Sequence, residues 1–107
     1  MRDINQVEWR KLIANDQKAV IIDARRPDEW VDGVIENALL MNVLELEHFE
    51  KEVSQLEKEK NYYVYCRSGK RSVRACQILE DNEIKNTFNL LGGWLAWDGT
   101  KVIPVQQ

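Results

Sequence analysis

The sequence predicts an α/β fold, a parallel sheet with helices on both faces. Short apolar runs rich in β-branched and aromatic residues recur along its 107 residues. The segments between them space their apolar residues by three and four, the period of a helix with one buried face. One run, Ala19-Val20-Ile21-Ile22, has no polar alternation, as expected of a strand buried on both sides. Strands alternating with helices in this way make a parallel sheet with helices packed against it.

The elements follow in order. Met1 to Gln6 is polar and helix-like. Asn5 and Glu8 have the form of a capping box, and Val7, Trp9, Leu12 and Ile13 supply an apolar face for a helix to about Ala14. Asn15-Asp16-Gln17 breaks it before the Ala19–Ile22 strand, which ends at Asp23. Arg26-Pro27-Asp28-Glu29-Trp30 reads as a turn and short helix, with Pro27 early and Gly33 as its stop. Ala38 to Met41 is a second strand, and Leu46, Phe49, Val53 and Leu56 mark an amphipathic helix from Leu44 to about Lys58. Tyr62 to Tyr65 is a third strand. Ser72 to about Asp81 is a helix with Val73, Cys76, Ile78 and Leu79 among its apolar positions. Thr87 to Leu91 is the last clear strand, and Gly92-Gly93 opens a short helix through Trp97.

Length and composition predict a single domain over residues 1–107, with one core. No stretch is apolar enough to span a bilayer, and no signal-peptide pattern opens the chain, so a cytoplasmic protein without membrane association is expected. The net charge of -3 argues against a nucleic-acid partner. Two cysteines in such a chain are read as thiols and not as a disulfide framework. The average charge hides an asymmetry. Arg67, Lys70, Arg71 and Arg74 cluster with no acidic residue among them, around Cys66.

Ligands of parallel sheets bind at the carboxyl ends of the strands, and Cys66 is the first residue after one. The loop Cys66-Arg67-Ser68-Gly69-Lys70-Arg71 then feeds a helix. A strand–loop–helix gathers backbone N–H groups into a nest and aims a helix N-terminus at whatever the loop holds. Ser68 and Gly69 permit the tight curve, and Gly69 can take positive φ. These dipoles, with Arg67, Lys70 and Arg71, favour the thiolate, which is the nucleophile. The chemistry that suits the loop is attack by Cys66 on an anionic donor to form a covalent intermediate.

Cys66 to Ser72 resembles the active-site loop of rhodanese-like domains, in particular the single-domain sulfurtransferases. Val20-Ile21-Ile22-Asp23-Ala24-Arg25-Arg26-Pro27-Asp28-Glu29-Trp30 is similar to the family's first signature, and Asn89-Leu90-Leu91-Gly92-Gly93-Trp94-Leu95-Ala96-Trp97 to its closing one. One departure is Gly33-Val34-Ile35-Glu36, where many members have Gly-His-Ile-Pro. The resemblance implies a three-layer fold around about five strands and a ping-pong reaction needing no cofactor or metal. Cys66 would take sulfane sulfur from thiosulfate or a persulfide and pass it to cyanide, a thiol or a protein. Arg67, Ser68, Gly69, Lys70, Arg71 and Ser72 carry over as the donor-binding loop, and Asp23 and Arg25 as architectural residues near it.

Other readings fare worse. A phosphatase or arsenate reductase of the same fold wants a cysteine, five residues and then arginine, but Ser72 stands at that position and Arg71 falls one early. A catalytically idle rhodanese-like binding module typically lacks the cysteine or the loop's basic and glycine residues, all present here. A nucleotide-binding P-loop fails because Val64 and Arg71 replace its glycine and hydroxyl residue. Cys76 reads as core packing and His48 as a solvated surface residue. One histidine and two cysteines give no zinc spacing. Trp9, Trp30, Trp94 and Trp97 read as core area, with Trp94 or Trp97 a candidate for the site entrance.

Overall fold

A computed structural model describes residues 1–104. Its elements are β1 (Arg2–Ile4), α1 (Gln6–Ala14), β2 (Ala19–Asp23), α2 (Pro27–Trp30), β3 (Val34–Ile35), β4 (Ala38–Leu40), α3 (Leu46–Val53), β5 (Asn61–Tyr65), α4 (Arg71–Asp81), β6 (Thr87–Leu90), α5 (Gly93–Ala96) and β7 (Lys101–Val102). Five strands form one sheet in the order β1-β6-β5-β2-β4, and every pairing is parallel. The α/β architecture expected from the sequence is therefore present, with β5 at the centre.

The sheet divides the apolar residues between two cores. Ile22, Tyr62 and Val64 face α3 and α4, where Phe49, Val53, Ala75, Cys76 and Leu79 meet them. Ile21, Tyr63 and Tyr65 point the other way and pack with Trp9 of α1, Ile35 and Trp97. Successive side chains of a strand point to opposite faces, so the unbroken apolar run of β2 is what two covered faces require. Trp9 meets Tyr63, Tyr65 and Trp97 edge-on, at 5.5, 6.2 and 6.4 Å between ring centroids. Such aromatic contacts add to area burial.

Several boundaries differ from the sequence reading. The Asn5 side chain accepts from the Glu8 amide at 2.9 Å, so α1 is capped as expected. The residues before it are extended, not helix-like: β1 pairs with β6 in the register Arg2↔Phe88 to Ile4↔Leu90. Pairing satisfies its backbone and buries Ile4. α3 stops at Val53, and the backbone turns over Ser54–Leu56, so the periodic pattern continued past the helix that it marks. Val34 and Ile35 were not expected to be extended; they pair antiparallel with β7 in a short ribbon. Of the four tryptophans, Trp9 and Trp97 are buried in the core, while Trp30 and Trp94 are half-buried. No helix among the described residues is long and apolar enough to cross a membrane.

Candidate active site

Cys66 follows β5 directly, so the central strand of the sheet delivers its sulfur to the carboxyl end. The residue is 1% exposed. Its Sγ lies 3.1 Å from the Gly69 amide nitrogen, which donates to it, and 3.3 Å from the Ser72 hydroxyl. Gly69 has φ +102°, the positive value anticipated at that position. Burial pushes the Cys66 thiol up, but the Ser72 hydroxyl and the amides of Ser72, Gly69 and Ser68 outweigh it and bring the pKa below its ordinary value.

The loop is held from behind by α5. Trp94 donates its amide to the Cys66 carbonyl at 2.9 Å, and Leu95 donates to the Arg67 carbonyl at 3.1 Å. This approach is close enough that Gly93, at φ +52°, has no room for a side chain. A Cβ there would lie 2.5 Å from the Cys66 carbonyl oxygen and 2.7 Å from that of Arg67.

Asp23 and Arg25 form a buried ion pair at 2.7 Å. Tyr65 donates its hydroxyl to Asp23 at 2.6 Å, and Arg25 donates to the Gly33 carbonyl at 2.8 Å. The Arg25 guanidinium lies 4.5 Å from the Trp94 ring centroid, over its face. The pair thus links β2, the Gly33 turn and the helix that backs the loop, and among the described residues no hydrogen bond joins it to Cys66, Gly69 or Ser72.

The basic cluster read from the sequence is not a ring of free cations. Arg71 is bound by Glu29 of α2 through two hydrogen bonds, at 2.7 and 3.0 Å. The Arg71 guanidinium brings the Glu29 carboxyl down to about 2, and the Arg26 amide contributes. Arg67 and Lys70 are exposed, as is Ser68. Short-range donors are therefore the groups that touch the Cys66 sulfur, and Arg71 acts on it through space while bound to Glu29.

A cleft of about 380 Å³ beside the loop is lined by Asp28, Glu29, Asp32, Arg67, Trp94 and Leu95, with Arg25 beneath. Trp94 lines this cleft, whose walls do not include Cys66; Trp97 instead borders a separate hollow beside Trp9 and Arg10. Cys76 lies 0% exposed in the core, and burial pushes its thiol up to about 12. Both cysteines are free thiols. His48 is exposed and sits 3.1 Å from Glu52. No group of three or more His, Cys, Asp or Glu side chains among the described residues is arranged to hold a metal ion.

Two residues beside the site went unremarked in the sequence. Glu29 lies inside a quoted signature, but nothing local says that it reaches Arg71. Asn89 opens the other quoted signature and is a polar residue in the apolar run Thr87–Leu91, but neither signal says what it meets. It is buried, accepts a short hydrogen bond from Ser72 and donates to Asp3.

Comparison with known proteins agrees with this geometry. A family model described as the rhodanese-like domain matches residues 6–100. A sulfurtransferase of Allochromatium vinosum is 31% identical over 97 residues, covering 88% of either chain. A tRNA uridine(34) hydroxylase of Pelagibacter ubique is 33% identical over 94 residues, which cover 88% of this chain but 31% of the hydroxylase. The crystal structure of a rhodanese-like domain protein from Staphylococcus aureus matches with a TM-score of 0.83 at 28% identity, over 98% of this chain and 100% of that one. Sequence and fold point the same way, and the chain belongs to the rhodanese-like domain family.

Proposed function

We propose that this protein is a sulfurtransferase in which Cys66 carries sulfane sulfur as a persulfide. The observation that carries the reading is the placement of the Cys66 sulfur within 3.1 Å of a loop amide and 3.3 Å of a buried hydroxyl, at the end of the central strand. The sulfurtransferase name of the Allochromatium relative supports it.

In the first half-reaction the Cys66 thiolate attacks the outer sulfur of a small anionic donor such as thiosulfate. A Cys66–sulfur bond forms, the donor's sulfur–sulfur bond breaks, and sulfite leaves with the electron pair. In the second, cyanide, a thiol or a protein thiolate attacks the outer sulfur of the persulfide. The electron pair returns to Cys66 as thiolate. The amides of residues 67 to 71 and the Ser72 hydroxyl hold the anionic sulfur at each stage. Asp23 and Arg25 keep the loop and its backing helix in register. One observation favours an idle binding module instead, namely that Cys66 is 1% exposed and a donor must reach it through the loop mouth.

Intact-protein mass spectrometry before and after thiosulfate, with Cys66→Ser as control, tests the reading. A gain of one sulfur atom in the wild type alone is expected. If neither thiosulfate nor a low-molecular-weight persulfide adds sulfur to a reduced Cys66, the carrier role is wrong and the idle module stands.

A further inference from the structure

The geometry points to Asn89 as the residue that sets how tightly Cys66 holds its proton, because it claims the only proton of Ser72. This deepens the sulfur-carrier reading, yet it concerns ionisation alone and can fail while persulfide formation stands.

Asn89 lies on β6 and is 2% exposed. Its side-chain nitrogen donates to Asp3 Oδ1 at 2.9 Å and to the Gly69 carbonyl at 3.3 Å. Carboxylate and carbonyl oxygens are acceptors, so both hydrogens of the amide are used and the amide can stand only one way round. Its oxygen is left facing the Ser72 hydroxyl in a short hydrogen bond that Ser72 donates. Ser72 is fully buried and has one proton. Toward the Cys66 sulfur, 3.3 Å away, it presents a lone pair. The polarity of the chain is therefore fixed from Asp3 inward, and Cys66 fits it as a donor, in the thiol form.

Ionisation has to break this order. When the Cys66 proton passes to solvent, the Ser72 hydroxyl can turn its hydrogen to the sulfur, which leaves the buried Asn89 oxygen unpaired. Or it can stay, which leaves a thiolate against a lone pair. Each alternative has a cost, because a buried acceptor without a donor loses its full desolvation. The help that the Ser72 hydroxyl gives the thiolate, and with it that part of the lowered Cys66 pKa, comes only in the first arrangement, with its hydrogen turned from Asn89 to the sulfur. Asn89 thus opposes the loop amides, and the nucleophile is released from the thiol with a resistance set three hydrogen bonds away, at Asp3. Asn89 is a positioning residue; it acts on the sulfur through Ser72.

The other charges around the loop are Arg71, paired with Glu29 of α2, the exposed Arg67 and Lys70, Asp28 and Asp32 in the cleft beside Arg67, Arg74 on α4, and the Asp23–Arg25 pair at the end of β2 beyond Tyr65. The variants that test the idea leave all of them in place.

The test is titration of the Cys66 thiolate by its ultraviolet absorbance, each variant read against its own Cys66→Ser counterpart so that Cys76 and the tyrosines cancel. Asn89→Leu removes the acceptor at similar volume. It is expected to lower the titration midpoint by about one pH unit, the shift that one net hydrogen bond produces. In a Ser72→Ala background the same substitution should leave the midpoint where Ser72→Ala alone puts it. Asp3→Ala, at an exposed position of β1, frees the Asn89 amide to turn and should give a smaller fall, again only when Ser72 is present. Loss of the Asp3 charge alone would act with or without Ser72. An unchanged or raised midpoint in Asn89→Leu, or an equal fall without Ser72, overturns the proposal. If Asn89→Leu fails to fold by circular dichroism, the Asp3→Ala and Asp3→Ala/Ser72→Ala pair decides by the same criterion.

Discussion

Cys66 and Cys76 are the same side chain on adjoining parts of one β–α unit, both buried, with opposite chemistry. Cys66 stands at the end of β5 with amide donors and a hydroxyl on its sulfur, and its pKa falls below the ordinary value although burial alone would raise it. Cys76 stands inside α4, where the backbone amides are committed to the helix. Its sulfur makes a long hydrogen bond of 3.9 Å to the Phe88 carbonyl, and burial carries its pKa up to about 12 although the Thr87 side chain pulls the other way. Burial does not decide whether a cysteine is reactive. What decides is whether unpaired backbone N–H groups are aimed at it, and those occur at the mouth of a loop and not in the middle of a helix.

The largest effect expected from this contrast comes from removing each sulfur. Cys66→Ser should lower sulfur transfer to cyanide, read as thiocyanate formed, by more than about 1000-fold. Cys76→Ala should leave that rate within about twofold and instead lower stability by about 1 kcal/mol in urea melts. Substantial turnover by Cys66→Ser would erase the distinction.

A smaller effect should follow from pushing on the loop. Gly93→Ala places a methyl group where the Cys66 and Arg67 carbonyls already stand, at a positive φ. The expected result is a loss of about 2 kcal/mol in stability and a fall in transfer rate of about tenfold or more, with Cys76 still inert to alkylation. An alanine variant with wild-type kinetics would mean that α5 does not hold the loop.

The smallest effect concerns the pair that steadies Arg71. The Glu29 carboxyl is lowered from 4.5 to about 2 by Arg71, so it is charged in the fold at a pH where the unfolded chain has begun to protonate. Its contribution is fully present above about pH 4.5 and is lost as pH falls through about 2. Glu29→Gln should therefore lower the urea midpoint modestly at pH 7, and the gap from wild type should close on acidification toward pH 2. Because Arg71 lies near Cys66 and not near Cys76, the variant should change the alkylation rate of the first alone. A gap that widened in acid would contradict the ion-pair account.

What the sequence made legible was local. The Cys66 loop declares itself because cysteine, glycine and the following helix are contiguous, and the conformation they need is set within a few residues. The parallel α/β architecture follows from alternating periodicity with little help from any one residue, and four of the five sheet strands show in it; the count of about five was implied by the family resemblance. What stayed hidden was nonlocal. β1 offers three residues and one buried side chain, and it is a strand only because β6, at the far end of the chain, supplies its ladder. β3 and β7 are two residues each, too short for a period of two to register. The charge cluster around Cys66 was visible, but Glu29, which answers Arg71, comes from a signature about 40 residues earlier. Asn89 shows as a polar residue in an apolar strand, and only the fold says that it meets Ser72 and Asp3.

The backing of the loop by α5 has a consequence during synthesis. The groups that bind the Cys66 and Arg67 carbonyls lie about 30 residues downstream, and β6, which flanks β5, also follows it. At roughly 5–20 residues per second, a ribosome reaches Leu95 about 1.5–6 s after it has added Cys66. Until then the nascent thiol has no finished cradle, so the setting that lowers the Cys66 pKa cannot precede the synthesis of α5.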